Sequence, residues 1–178
     1  MSWKTPRTTH PYFIELSESD IAELLALYAQ LKASDGQLLN VRLLAAQLGQ
    51  LKGLPHGSVL RFLGYFAILE SLLTHVPKPS DPYDSITRQV KKKLTLLSRR
   101  FSHPLDYSPF GDTPPETVWT KMYNYRSLIA HGVSPGFEGD LQLLRNADTA
   151  LALIKDSVKA ILRQALSEPQ LLIDLKDC

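Results

Sequence analysis

The chain has 178 residues, of which 44% are apolar and 21% charged, with a formal net charge of +2. That is one domain's worth, long enough to bury a sizeable core, and it excludes nucleic-acid binding by overall charge, leaving only local patches. The lone cysteine, Cys178, excludes an internal disulfide and a clustered-cysteine metal site and points to a reducing compartment.

The stretch up to about Leu16 is rich in Thr and Pro and reads as an N-terminal arm, with Tyr12-Phe13-Ile14 placed to pin it to the core. It lacks the apolar run of a signal peptide, and no apolar stretch is long enough to span a bilayer, so the expected location is the cytoplasm with no membrane partner. Ser17 can cap a first helix, and Glu18 and Asp20 suit its positive end. Ile21, Leu24, Leu25, Tyr28 and Leu31 then recur at helical spacing, and Asp35-Gly36 ends the run. Leu38, Leu39, Leu43, Leu44, Leu48 and Leu51 mark a second helix, closed by Lys52-Gly53 and Pro55. A third helix, from about Ser58 to Thr74, is apolar round much of its surface and is expected to be central.

Pro77, Pro79 and Pro82 make a stiff loop before a fourth helix from about Tyr83 to Arg100. Ile86, Val90, Leu94 and Leu97 form its buried stripe, and Arg88, Lys91, Lys92, Lys93, Arg99 and Arg100 its basic face. A Pro- and aromatic-rich loop covers about Ser102 to Thr113. Pro115 suits the first turn of a fifth helix, and Gly132 is a left-handed stop for it. The last helix starts near Gly139-Asp140, with a break or short extra helix around Glu168-Pro169. The expected fold is an all-α bundle of about six helices in a single domain, 1–178.

The informative segment is Tyr123-Asn124-Tyr125-Arg126-Ser127-Leu128-Ile129-Ala130-His131-Gly132, an Arg-x4-His pair at the end of an amphipathic helix. An imidazole can move a proton near neutral pH, and a guanidinium can hold a phosphate and stabilise its growing charge. Together they suit metal-free cleavage of RNA by its own 2′-hydroxyl; DNA lacks that group. Five residues along a helix turn these two side chains about 140° apart, so a distorted helix end, a long reach by the arginine or a second subunit must bring them together. Ser127 shares the face of His131 and can orient its ring, and Asn124, on the same face, can touch phosphate or ribose. Tyr123 and Tyr125 read as core or dimer packing. His10, His56, His75 and His103 lack ligand spacing, so neither a metal nor another cofactor is expected. Trp3 and Trp119 read as packing residues.

The Arg126-Ser-x3-His131-Gly132 wording resembles the HEPN superfamily, most closely its Apea-like branch. Phe62-Leu63-x2-Phe66-x2-Leu69-Glu70 is similar to the aromatic-rich helix with one inward glutamate of that branch. The resemblance covers roughly residues 57 to 165 and leaves the first two helices unmatched. The chain departs from many catalytic members in having Ser127 after the arginine, and the His-x-Tyr ending of one toxin group is absent. The resemblance implies a HEPN-like bundle that dimerises and a metal-independent endoribonuclease with Arg126 and His131 as its catalytic pair. It also implies a role in antiviral defence or a toxin system, with a protein regulator or antitoxin as partner. Ser127, Asn124 and Glu70 are the supporting residues, Glu70 either orienting Arg126 or simply pairing with it. The basic face of the fourth helix is either a solvated surface or a phosphate track for RNA. Two alternatives to the enzyme stay open: a catalytically silent module that binds a protein or RNA, and a ligand-sensing regulatory bundle.

Overall fold

The computed structural model describes residues 16–33, 40–77, 81 and 84–178. Within these residues the chain is helical with no strand: α1 (Glu18–Ala33), α2 (Val41–Leu51), α3 (Val59–Leu73), α4 (Ile86–Ser98), α5 (Pro115–Ala130), α6 (Ala147–Ser167) and α7 (Pro169–Asp177), with short 3-10 turns at Ser108–Phe110 and Gly139–Leu144. No helix among the described residues is long and apolar enough to cross a membrane. Trp3, His10, the Tyr12-Phe13-Ile14 pin, Asp35-Gly36, Leu38, Leu39, Pro79, Pro82 and Tyr83 lie outside the described residues.

The helix starts follow the expected chemistry. Ser17 and Asp20 exchange bonds at the head of α1: the Asp20 N–H donates to Ser17 Oγ at 3.2 Å and the Ser17 N–H to Asp20 Oδ2 at 2.9 Å. Asn40, Ser58, Ser85 and Asn146 each accept from a backbone N–H in the first turn of α2, α3, α4 and α6. Pro115 and Pro169 stand in the first turns of α5 and α7, where no N–H is needed.

Helix α3 is the hub, in contact with α2, α4, α5, α6 and α7. Phe62, Tyr65, Phe66, Ile68, Leu69, Leu72 and Leu73 are buried along it, as its near-continuous apolar surface demands. The core then closes with Val90, Leu94 and Leu97 of α4, Trp119 and Met122 of α5, and Ile154, Val158 and Ile161 of α6. Trp119 is a packing residue with its indole N–H donated to the Tyr107 hydroxyl at 2.8 Å.

The first helix forms as its spacing indicates, but Ile21, Leu24, Leu25 and Tyr28 are all exposed, and no residue of α1 is buried. Periodicity identifies an amphipathic helix but not which face its neighbours cover. Ile86, assigned to the buried stripe of α4, is 38% exposed at that helix's first turn. The last long helix begins at Ala147 rather than near Gly139, because Arg145 takes a positive φ of 62° and breaks the run before Asn146 caps α6.

Candidate functional site

The aromatic order of α3 and α5 sets the site. Phe66 meets Tyr123 edge-on at 5.1 Å between ring centroids, and Phe62 meets Tyr125 at 4.7 Å. Tyr125 also packs on Phe137 at 5.0 Å. Both tyrosines are therefore core residues, and neither exposes a ring face on which a base could stack. What α5 leaves to solvent near its end is Asn124, Ser127, Leu128, Ala130 and His131.

With the rings locked, Glu70 of α3 faces α5. Its carboxylate, 17% exposed, accepts from Arg126 Nη2 at 3.4 Å and from the Tyr123 hydroxyl at 3.3 Å. Burial, with the Glu70 charge and hydrogen bond behind it, pushes the Tyr123 phenol well above its ordinary range, partly offset by Arg126. Tyr123 is thus a fixed donor that helps hold Glu70 in place. The Arg126 side chain remains 38% exposed, and its other N–H groups have no protein partner among the described residues. It borders an open groove of about 330 Å³ shared by Glu70, Ile86, Thr87, Thr120, Asn124 and Ser127.

His131 stands just past α5 as its C-terminal cap, with φ −88° and ψ 10°. Its N–H donates to the Ser127 carbonyl at 3.1 Å; Gly132 N–H reaches Ile129 O at 2.9 Å and Val133 N–H reaches Leu128 O at 3.0 Å. These last two bonds close the helix in a Schellman turn, which needs a left-handed residue, and Gly132 supplies it with φ 76°. The imidazole is exposed and makes no side-chain hydrogen bond among the described residues, and it is absent from the walls of the groove. Arg126 and His131 therefore diverge, as the helical turn dictates.

The supporting residues divide. Glu70 does hold Arg126. Ser127 lines the groove, but its hydroxyl makes no bond to the His131 ring. Asn124 is committed: its amide donates to Asp140 Oδ2 at 2.8 Å, and Lys121 pairs with Asp140 Oδ1. These hydrogen bonds, Lys121's first, hold the Asp140 carboxyl below the usual carboxylate range. Sequence reasoning missed Asp140 and Lys121 as partners of Asn124, although a carboxylate in the Gly139–Leu144 turn, facing a helix with lysine and asparagine three residues apart, was a readable signal.

The basic face of α4 is not one surface. Arg88, Lys92 and Arg99 are exposed, and Arg100 pairs with Glu168 at 2.6 Å. Lys91 donates to Thr120 Oγ1 at 3.1 Å, which links it to the groove wall. Lys93 corrects the expectation: it is 3% exposed and donates to the carbonyl of Lys176 at 3.1 Å, because α7 folds back over it. Burial pushes its ammonium below the usual lysine range, with negative charge at Cys178, Asp84 and Asp177 pulling the other way. Lys93 is not available to RNA.

His75 is the other histidine of note. Its Nε2 lies 3.1 Å from Asp84 Oδ2 and its Nδ1 2.8 Å from the Lys176 carbonyl. Gln89 donates to Asp84 Oδ1 at 2.7 Å and accepts from the His75 backbone N–H at 3.0 Å. This network ties the end of α3 to α4 and α7. No group of three or more His, Cys, Asp or Glu among the described residues is placed to hold a metal ion. No family model, no curated protein and no solved structure matches the chain.

Proposed function

We propose that the chain is a metal-independent endoribonuclease of HEPN type, acting as a homodimer, with Arg126 and His131 as its catalytic pair. The observation that carries this reading is the anchored, half-exposed Arg126 at the rim of a groove, with an unencumbered imidazole at the end of the same helix. Glu70, itself held by the Tyr123 hydroxyl, fixes one edge of the guanidinium through Nη2, and its remaining N–H groups are free for a phosphate. Because the two side chains diverge within one subunit, the reaction needs the helix end to distort or a second subunit to bring His131 to the phosphate held by Arg126; there His131 takes the 2′-hydroxyl proton as that oxygen attacks the adjacent phosphorus. Arg126 stabilises charge on the non-bridging oxygens, and the 5′-oxygen leaves and is protonated. The products are a 2′,3′-cyclic phosphate and a 5′-hydroxyl. Lys91, bonded to Thr120 in the groove wall, is the basic residue of α4 next to the groove, and the exposed Lys92 and Arg99 offer further phosphate contacts along that helix. The resemblance adds a setting in antiviral defence or a toxin system, with a protein regulator or antitoxin as partner.

A second reading, a catalytically silent module that binds a protein or RNA, draws on the Arg126–Glu70 ion pair itself, since an arginine satisfied by a part-buried acid has a structural role without any substrate. Purified protein incubated with total RNA in chelator separates the two. The enzyme cuts, leaves cyclic phosphate ends and spares RNA carrying a 2′-deoxy sugar at the cut site. Arg126→Ala lowers the rate by about 10²–10³-fold, and combining it with His131→Ala adds less than the product of the two effects. No chelator-resistant cleavage of any RNA leaves the silent module.

A further inference from the structure

The outward face of α1 has no partner within the described chain. Ile21, Leu24, Leu25 and Tyr28 are 46%, 62%, 63% and 56% exposed. At 100° per residue they fall on one side of the helix, opposite the side that leans on the body. That inner side is Glu23, Ala26, Leu27 and Gln30, which line a cavity against α6, and Glu23 pairs with Arg163 Nε at 3.4 Å. The outer face can therefore be covered without moving α1. Four large side chains left together in water are the mark of an association surface.

The arrangement of that face says what covers it. The apolar positions 21, 24, 25 and 28 read the same in both directions about a point midway between Leu24 and Leu25. A two-fold axis through that point sets Ile21 against Tyr28 and Leu24 against Leu25 of an antiparallel copy. The charges agree. Glu18 lies at the start of α1 and Lys32 at its end, both bordering the same face, and Lys32 Nζ sits 5.1 Å from the centre of the Tyr28 ring. Neither has an ion-pair partner within the described chain. The same two-fold axis brings Lys32 level with Ser17 and Glu18 of the other helix, twice over. A parallel pairing stacks like on like at both ends.

We infer that α1 is a self-recognition surface that pairs antiparallel with α1 of a second copy of this chain, through Ile21, Leu24, Leu25 and Tyr28 and flanking Glu18–Lys32 pairs. The inference rests on the homodimer of the proposed function, for which it names the surface, and not on the cleavage chemistry, because none of these residues belongs to the Arg126–His131 site. A single helix pair covers less than the roughly 800 Å² per partner of a standard interface, so association in the micromolar range is expected.

Sedimentation of the full chain across about 1–100 μM tests it. A dimer is expected, and Leu24→Glu with Leu25→Glu converts it to monomer without loss of helix signal or of thermal stability. Lys32→Glu weakens association by about tenfold at low salt, and adding Glu18→Lys restores it. A chain that is monomeric throughout overturns the inference; if the Leu24/Leu25 variant then also melts at lower temperature, part of the same chain covers the face. A dimer indifferent to the Leu24/Leu25 variant overturns it equally and moves the interface elsewhere. RNA cleavage is not read in this experiment, so its absence leaves the outcome unchanged.

Discussion

His75 and His131 occupy opposite situations. Both ring nitrogens of His75 face oxygen acceptors, and its side chain is 17% exposed between α3, α4 and α7. His131 stands beyond the last turn of α5 with a bonded backbone and an unbonded ring. The cations repeat the contrast: Lys93 is sealed under α7, whereas Arg126 is gripped on one edge by Glu70 and open on the other. A side chain spent on holding helices together is satisfied on every side. Arg126 and His131 instead keep side-chain groups that no described residue satisfies.

Glu70→Ala should produce the largest change at the open end. It strands the Tyr123 hydroxyl and releases Arg126, costing about 1–3 kcal/mol of stability in urea unfolding. Cleavage per folded molecule should fall with it; an unchanged specific rate makes Glu70 a packing residue only. At the closed end, His75→Ala should cost about 1–2 kcal/mol by the same measurement, while the specific rate stays at the wild-type value. A smaller loss, about 1 kcal/mol, is expected for Gly132→Ala, since the left-handed turn at φ 76° penalises a Cβ even though nothing crowds it.

Lys93 sharpens the contrast through pH. Its ammonium is held below the usual lysine range, so the folded chain releases this proton before the unfolded chain does. Stability should therefore gain as pH rises toward about 10.4, and that slope should vanish in Lys93→Met. Comparing the two proteins cancels Tyr123, which is unchanged between them. The smallest effect separates neighbours on α4: Lys92→Ala should lower the salt slope of binding to single-stranded RNA by about 0.7 per lost phosphate contact. Lys93→Met should leave that slope unchanged.

Much of this was legible in the sequence where the signal is local. The cap at Ser17, the start of the third helix near Ser58, the break at Glu168-Pro169 and the Gly132 stop each depend on a few adjacent residues. The Glu70–Arg126 pairing was legible too, because a lone acid in so apolar a helix needs a partner. Contacts made by distant chain were not. Lys93 is buried by a helix 83 residues further on, and Asn124 is engaged by Asp140 across the Gly132 turn. The face of α1 has a helical period whether or not anything covers it, so its exposure could not be read from spacing. Arg145 broke the predicted start of α6 through a backbone angle that its residue type does not favour.

The measurement closest to the central claim is the initial rate of RNA cleavage in chelator for wild type, His131→Ala and His75→Ala, each corrected for the folded fraction under the assay conditions. A loss of about 10²–10⁴-fold is expected for His131→Ala with its melting temperature unchanged, and a full specific rate for His75→Ala despite lower stability. A His131→Ala protein that cuts like wild type, or losses in the two variants that simply follow their stabilities, would contradict it.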